Sequence, residues 1–166
     1  VQRQSKAARD SAGILDASTL GKIDIQGTDA SEFLNRVYTN SWSKLAIGKC
    51  RYGLMLNEDG MVYDDGVTTR LDENHYIMTT TTGGAATVLG KLEDYLQTEW
   101  PELDVYLTSV TDHYATVSVC GPNSKKIISK VIPDLDLSDK NFPHMSFKNI
   151  KIGKIKCRVM RISFTG

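Results

Sequence analysis

Apolar and polar residues alternate with a period of two around the middle of the chain, and a helical period of three to four takes over on either side. Tyr52, Leu54 and Leu56 alternate before Asn57-Glu58-Asp59-Gly60, and Met61, Tyr63, Asp65 and Val67 alternate after it, which predicts two strands joined by a turn. A third strand is expected over His75 to Thr80. Helical spacing puts Ala85, Val88, Leu89, Leu92, Tyr95 and Leu96 on one face, with Lys91, Glu93 and Asp94 off it, and Trp100-Pro101 ends the element.

Two shorter helices belong to an internal repeat. Lys22 to Val37, KIDIQGTDASEFLNRV, superposes without gaps on Thr116 to Val131, TVSVCGPNSKKIISKV. Each copy reads as an alternating strand, a glycine turn, an Asx helix cap and an amphipathic helix, with Asp29 and Glu32 forming a capping box in the first. The echo continues in IGKCRYGLML at Ile47 and IGKIKCRVMRIS at Ile152. The expected fold class is therefore α+β, with duplicated strand-turn-helix-strand units and mixed or antiparallel sheets. The first copy turns back through LNEDG into a returning strand from Met61 to Thr69, whereas the second reaches Ser163-Phe164-Thr165-Gly166 at the chain end. With Val as the first residue, the expectation is a partial domain over residues 1–166, a fragment of a longer chain.

Within the hairpin, a turn flanked by Asn57 and Gly60 sets Leu56 opposite Met61, Leu54 opposite Tyr63 and Tyr52 opposite Asp65. A register two residues away makes the last pair diagonal and keeps both residues on one face. Asp65 then interrupts an apolar row, while Asp64 falls on the other face with Val62 and Thr68. A carboxylate on a buried face needs a compensating partner, so the pair is either a satisfied structural contact or a functional site. The run Thr79-Thr80-Thr81-Thr82-Gly83-Gly84 before the long helix reads as a strand end entering an N-cap, with anion binding as the alternative.

The 20 basic and 20 acidic residues balance, and Lys125-Lys126 is an isolated pair, which removes the electrostatic footprint of a nucleic-acid binder. Cys50, Cys120 and Cys157 lack C-x-x-C spacing and His75, His113 and His144 are scattered, so neither a metal site nor a disulfide frame is implied. No nucleotide-binding glycine pattern and no stretch of membrane-spanning length is present. The reading is a cytoplasmic protein with free thiols.

The string RYGLMLNEDGMVYDDG resembles the folate-binding family of the aminomethyltransferases, the glycine cleavage T-proteins, in which an aromatic runs through L-N-E-x-G to a D-D pair. Taken with HYIMTTTT, WPELDVYLTSVTDHYATVSVCGP, DLSDKNFPHMSF and RISFTG, the chain is more similar to the branch that forms the C-terminal part of the sarcosine oxidase alpha subunit. In that family the second aspartate lies beside the reactive nitrogens of tetrahydrofolate, which implies Asp65 as the catalytic acid or base. It further implies that Tyr52 orients or packs on the folate, that Asp64 is a supporting acid, and that Val67 and Thr79 offer backbone contacts. Thr81 stands near where the T-proteins carry an asparagine, His144 where a tyrosine is common, and Phe164 at the aromatic before T-G. Relatives continue to a glutamate that anchors the pterin, so the isolated piece is expected to be inactive.

The function implied is capture, as 5,10-methylenetetrahydrofolate, of the one-carbon unit of oxidised sarcosine. Tetrahydrofolate is the cofactor here, flavin and NAD are expected only in other parts of the full protein, and the implied partners are the other subunits of a hetero-oligomeric oxidase. The alternatives are a stand-alone aminomethyltransferase, a non-catalytic folate-binding module, and an unrelated α+β domain whose acids are structural.

Overall fold

The computed structural model describes residues 2–163. In chain order the elements are α1 (Gln2–Asp10), β1 (Gly13–Asp16), β2 (Gly21–Gln26), α2 (Ala30–Val37), β3 (Cys50–Leu56), β4 (Val62–Asp72), β5 (His75–Thr80), α3 (Ala85–Asp94), β6 (Tyr106–Ser109), β7 (Val117–Cys120), α4 (Ser124–Val131), β8 (Ser146–Ile152) and β9 (Ile155–Arg161). They are arranged as two compact units, one of Val1–Ser18 with Tyr114–Gly166 and the other of Thr19–His113. The fold is α+β, and every strand pairing among the described residues is antiparallel.

The Thr19–His113 unit is a five-stranded sheet in the order β3-β4-β5-β2-β6. One face carries Ile23, Ile25, Met55, Tyr76 and Met78, all buried, and against it pack Phe33 and Leu34 of α2 and Val88 and Leu92 of α3. The spacing of Ala30, Phe33 and Leu34, and of Val88 and Leu92, turns one apolar stripe of each helix to the sheet. Each fully buried large side chain contributes about 1.5–3 kcal/mol. Helix α3 does not stop at its last regular turn: Tyr95–Glu99 widens into a π-helical turn closed by the Trp100 N–H on Tyr95 O at 2.9 Å, ahead of Pro101.

The two segments that the sequence reads as a repeat share backbone detail. Helices α2 and α4 each span 8 residues and each follows a glycine in the left-handed region, Gly27 at φ +134° and Gly121 at φ +97°. A Cβ at Gly27 would lie 2.0 Å from Asp104 O, and one at Gly121 2.4 Å from Ala8 O, so both turns need glycine for space as well as for torsion. Each copy also borrows its neighbour strand from the segment ahead of the other copy. Strand β2 pairs with β6 from Ile23↔Ser109 to Gln26↔Tyr106, and β7 pairs with β1 from Val117↔Asp16 to Cys120↔Gly13. The same contact closes both turns: Asp29 N–H donates to Asp104 O at 3.3 Å, and Asn123 N–H donates to Ser11 O at 2.9 Å.

The capping box does not form. Asp29 Oδ2 accepts the Asp104 N–H at 2.9 Å, and Glu32 instead pairs with Arg36 at 3.0 Å, one helical turn along. Asp104 answers from the other side: its Oδ2 accepts from Thr28 N–H at 3.3 Å and Thr28 Oγ1 at 3.0 Å, which hold its carboxyl below the usual range. The Asx positions close a loop rather than cap a helix. In the other unit, α4 and the β8–β9 hairpin enclose a smaller core of Ile132, Leu135 and Phe142.

Candidate functional site

The hairpin of β3 and β4 carries the acids, and its turn sets their register. Gly60 N–H donates to Asn57 O at 2.9 Å and Asn57 N–H to Met61 O at 2.8 Å, with Gly60 at φ +82°, the geometry of a three-residue loop with a left-handed glycine. A bulge at Tyr63 follows, since Leu56 pairs with Val62 and Met55 with Asp64. These two irregularities displace the sequence-derived register by two residues, so that Tyr52 faces Val67 and Leu54 faces Asp65. Tyr52 and Asp65 are the diagonal pair on one face, and the Tyr52 hydroxyl donates to Asp65 Oδ2 at 2.8 Å. That bond, ahead of burial and charge, raises the Tyr52 phenol above its ordinary value.

The acid that sits buried is Asp64, not Asp65. Asp64 is 5 % exposed on the face covered by α2 and α3, whereas Asp65 is half-buried beside Tyr52, which is 40 % exposed. The difference arises because the two helices pack on the Met55 face, which the strand alternation alone does not reveal. Asp64 is compensated by Thr81, whose Oγ1 donates to Oδ1 at 2.6 Å and whose N–H donates to Oδ2 at 3.2 Å. The same Thr81 hydroxyl accepts the N–H of Gly84, the residue before α3, at 3.0 Å, so it ties the carboxylate to the start of the helix.

Beyond Thr68, whose partner is Met78, the paired register of β4 and β5 gives way to side-chain contacts. Thr79 Oγ1 accepts the Val67 N–H at 2.9 Å and donates to Val67 O at 3.2 Å. The Val67 amide is therefore engaged by the Thr79 side chain. Gly66 lets the strands approach here, since a Cβ on it would lie 1.8 Å from Thr79 O. On the far side, β3 is buttressed by the segment after α2: Thr39 N–H donates to Leu54 O at 3.1 Å, Asn40 Nδ2 to Tyr52 O at 2.6 Å, and Arg51 to Ser41 O. Buried Trp42 lies against Gly53, directly behind Tyr52.

Tyr38 is the residue that the sequence reading missed. It is 5 % exposed, bridges to Met55 opposite Asp64, and meets Trp42 edge-on at 6.0 Å. Burial first, then the charges of Asp64 and Asp65, push its phenol far above the ordinary range. Its signal was its position, the residue directly after the amphipathic stripe of α2. Near the hairpin loop, Lys91 of α3 donates to Asn57 Oδ1 at 3.2 Å and lies 4.5 Å from the Tyr63 ring centre, fixing the bulge to the helix.

Asp64, Asp65, Tyr52, Val67, Thr79 and Thr81 thus come together at one end of the five-stranded sheet. His144 belongs to the other unit, exposed in the loop before β8, and Phe164 lies outside the described residues. Among the described residues no group of His, Cys, Asp and Glu could hold a metal ion, and no helix is long and apolar enough to cross a membrane.

Comparison with known proteins gives a consistent pattern. The family described as GCVT N-terminal domain matches residues 1–166. The chain is 57 % identical to the sarcosine oxidase subunit alpha of Corynebacterium sp. (strain U-96) and 49 % identical to that of Rhizobium meliloti (strain 1021), in each case over 100 % of this chain and 17 % of the relative. It is 30 % identical to the aminomethyltransferase of Listeria monocytogenes serotype 4a (strain HCC23), covering 44 % of that protein. The crystal structure of aminomethyltransferase T from Bartonella henselae superposes with a TM-score of 0.80 over 98 % of this chain and 42 % of that one, at 21 % identity, a likeness of fold. The chain spans less than half the length of each of these proteins.

Proposed function

We propose that this chain, which belongs to the GCVT N-terminal domain family, is the tetrahydrofolate-binding domain of a sarcosine-oxidase-like alpha subunit. The Tyr52–Asp65 pair carries this reading. Asp65 presents a half-buried carboxylate on a sheet face, with Oδ2 oriented by the Tyr52 hydroxyl and the aromatic ring alongside. An acceptor-only oxygen pair beside an aromatic surface fits a flat heterocycle with N–H donors. The higher identity to the oxidase subunits than to the aminomethyltransferase supports the oxidase branch.

Tetrahydrofolate, when bound, would supply the two nitrogens, one in the pterin ring and one beside it, that take up a one-carbon unit. The chain supplies a place for the proton released there. Asp65 accepts it at its carboxylate as general base, or holds developing positive charge as an electrostatic partner. Tyr52 keeps that carboxylate in a single orientation, and Thr79 fixes Val67 at the floor of the site. Amine oxidation by a flavin, and the partner subunits, belong to the remainder of the larger protein in this reading.

The test is turnover of the full-length protein with sarcosine and tetrahydrofolate, scored as methylenetetrahydrofolate formed per amine oxidised. Asp65→Ala is expected to lower that ratio by a factor of about 10²–10⁴, the span of one general base, while amine oxidation continues. An unchanged ratio would remove Asp65 from the reaction.

A further inference from the structure

The segment that carries Asp65 is secured by the register of β4 with β3 on one side, Leu54 opposite Asp65 and Met55 opposite Asp64. On the β5 side the paired register ends at Thr68↔Met78, before the acids are reached. The Thr79 hydroxyl holds Val67 next along the strand, and past it the buried Asp64 side chain makes the link. Its two oxygens receive the Thr81 N–H at 3.2 Å and the Thr81 hydroxyl at 2.6 Å, so a carboxylate joins β4 to the segment after β5. Thr81 is itself tied to the helix, because its Oγ1 accepts the Gly84 N–H at 3.0 Å. The junction is packed to contact, since a Cβ on Gly84 would lie 2.7 Å from both Asp64 Oδ1 and Thr81 Oγ1. Consecutive strand residues point to opposite faces, so whatever fixes the Asp64 side chain inside also fixes the direction in which Asp65 leaves the sheet.

We propose that Asp64 and Thr81 are positioning residues, a carboxylate–hydroxyl–helix junction that holds Asp65 in line with Tyr52 for the folate site. The inference rests on the folate reading for its consequence and on the hairpin geometry for its substance. Neither residue needs to touch the ligand. Asp64 acts through the backbone of β4, and Thr81 acts through Asp64 and through Gly84 at the start of α3.

The test uses Thr81→Val, which keeps the shape and deletes the hydroxyl, beside Thr81→Ser, which restores it, in the full chain. Two readouts are taken: the affinity for tetrahydrofolate by calorimetric titration, and the titration of the Tyr52 phenol by NMR of labelled tyrosine, assigned with Tyr52→Phe. Because the Asp65 hydrogen bond is the main cause of the raised Tyr52 value, release of Asp65 brings that titration down toward the ordinary value. Thr81→Val is expected to lower the Tyr52 titration and weaken folate binding at least tenfold, with Thr81→Ser close to wild type in both. A merely structural role would reduce stability and leave the Tyr52 titration where it was, and that result overturns the proposal. If the wild type binds no tetrahydrofolate, the functional reading fails, and the Tyr52 titration in Thr81→Val still decides the positioning role by falling or staying. Should Thr81→Val not fold, the near-isosteric Asp64→Asn, which keeps only one acceptor oxygen, is read by the same two outcomes.

Discussion

Replacing Gly66 with alanine adds one methyl group at the point where β4 leaves the register of β5. Gly66 does not adopt a left-handed conformation, so the substitution is decided by space alone. The new Cβ would lie 1.8 Å from Thr79 O and 2.7 Å from Thr79 C, both backbone atoms that cannot rotate away. The strands must part, and the two Val67–Thr79 hydrogen bonds at 2.9 and 3.2 Å part with them. Overpacking costs about 1–3 kcal/mol and a lost hydrogen bond about 1 kcal/mol, which sets the expected destabilisation at about 3 kcal/mol or somewhat more. Gly90 provides the opposite case. It lies inside α3, a Cβ there would meet nothing within 4 Å, and Gly90→Ala should stabilise by about 0.5–1 kcal/mol. In urea unfolding with a slope of about 2 kcal/mol per molar, Gly66→Ala should lower the midpoint by about 1.5 M, and Gly90→Ala should raise it by about 0.3–0.5 M. A Gly66→Ala midpoint within about 0.3 M of wild type would refute the close approach of β4 to Thr79.

Three other outcomes follow from the same geometry. Gly53→Ala, whose Cβ would lie 2.6 Å from Trp42 Cζ2, should destabilise by about 1–3 kcal/mol and shift the Trp42 emission to the red; unchanged emission would contradict the packing. Asp136, which accepts from Asn141 Nδ2 at 2.5 Å and Ser138 N–H at 2.8 Å, has its carboxyl lowered to about 2 from an ordinary 3.8. A depressed folded value means a contribution present above the ordinary value and lost as pH falls through about 2, so an NMR titration of Asp136 with its midpoint near 3.8 would count against the loop. Tyr52→Phe deletes the hydroxyl on Asp65 at an exposed position, so it should leave stability within about 0.5 kcal/mol while weakening folate binding; a large stability loss without a binding change would mark the pair as structural.

What the sequence disclosed, and what it withheld, divides along local and distant causes. The two glycine-led helices and the strand at His75–Thr80 were legible because torsion and apolar spacing act within a few residues. The hairpin register was not, because it is the sum of a left-handed Gly60 and a bulge at Tyr63, and the alternating pattern survives both. The capping box failed because Asp29 is claimed by Asp104, which lies in the loop before β6. Which acid is buried depended on the face that α2 and α3 choose, and Tyr38 lay one residue beyond the pattern that identified α2. That the strands neighbouring β2 and β7 are exchanged between the repeat copies has no local signature at all.

In the proposed function Asp65, oriented by Tyr52, forms a tetrahydrofolate site. Calorimetric titration of tetrahydrofolate into the full-length protein and its Asp65→Asn variant tests it most directly, since asparagine keeps the shape and removes the charge. Saturable binding to the wild type is expected, with a loss of tenfold or more in the variant, on the scale of about 1.5–3 kcal/mol for a hydrogen bond to a charged group. Equal affinities in the two proteins, or no binding by the wild type, would contradict it.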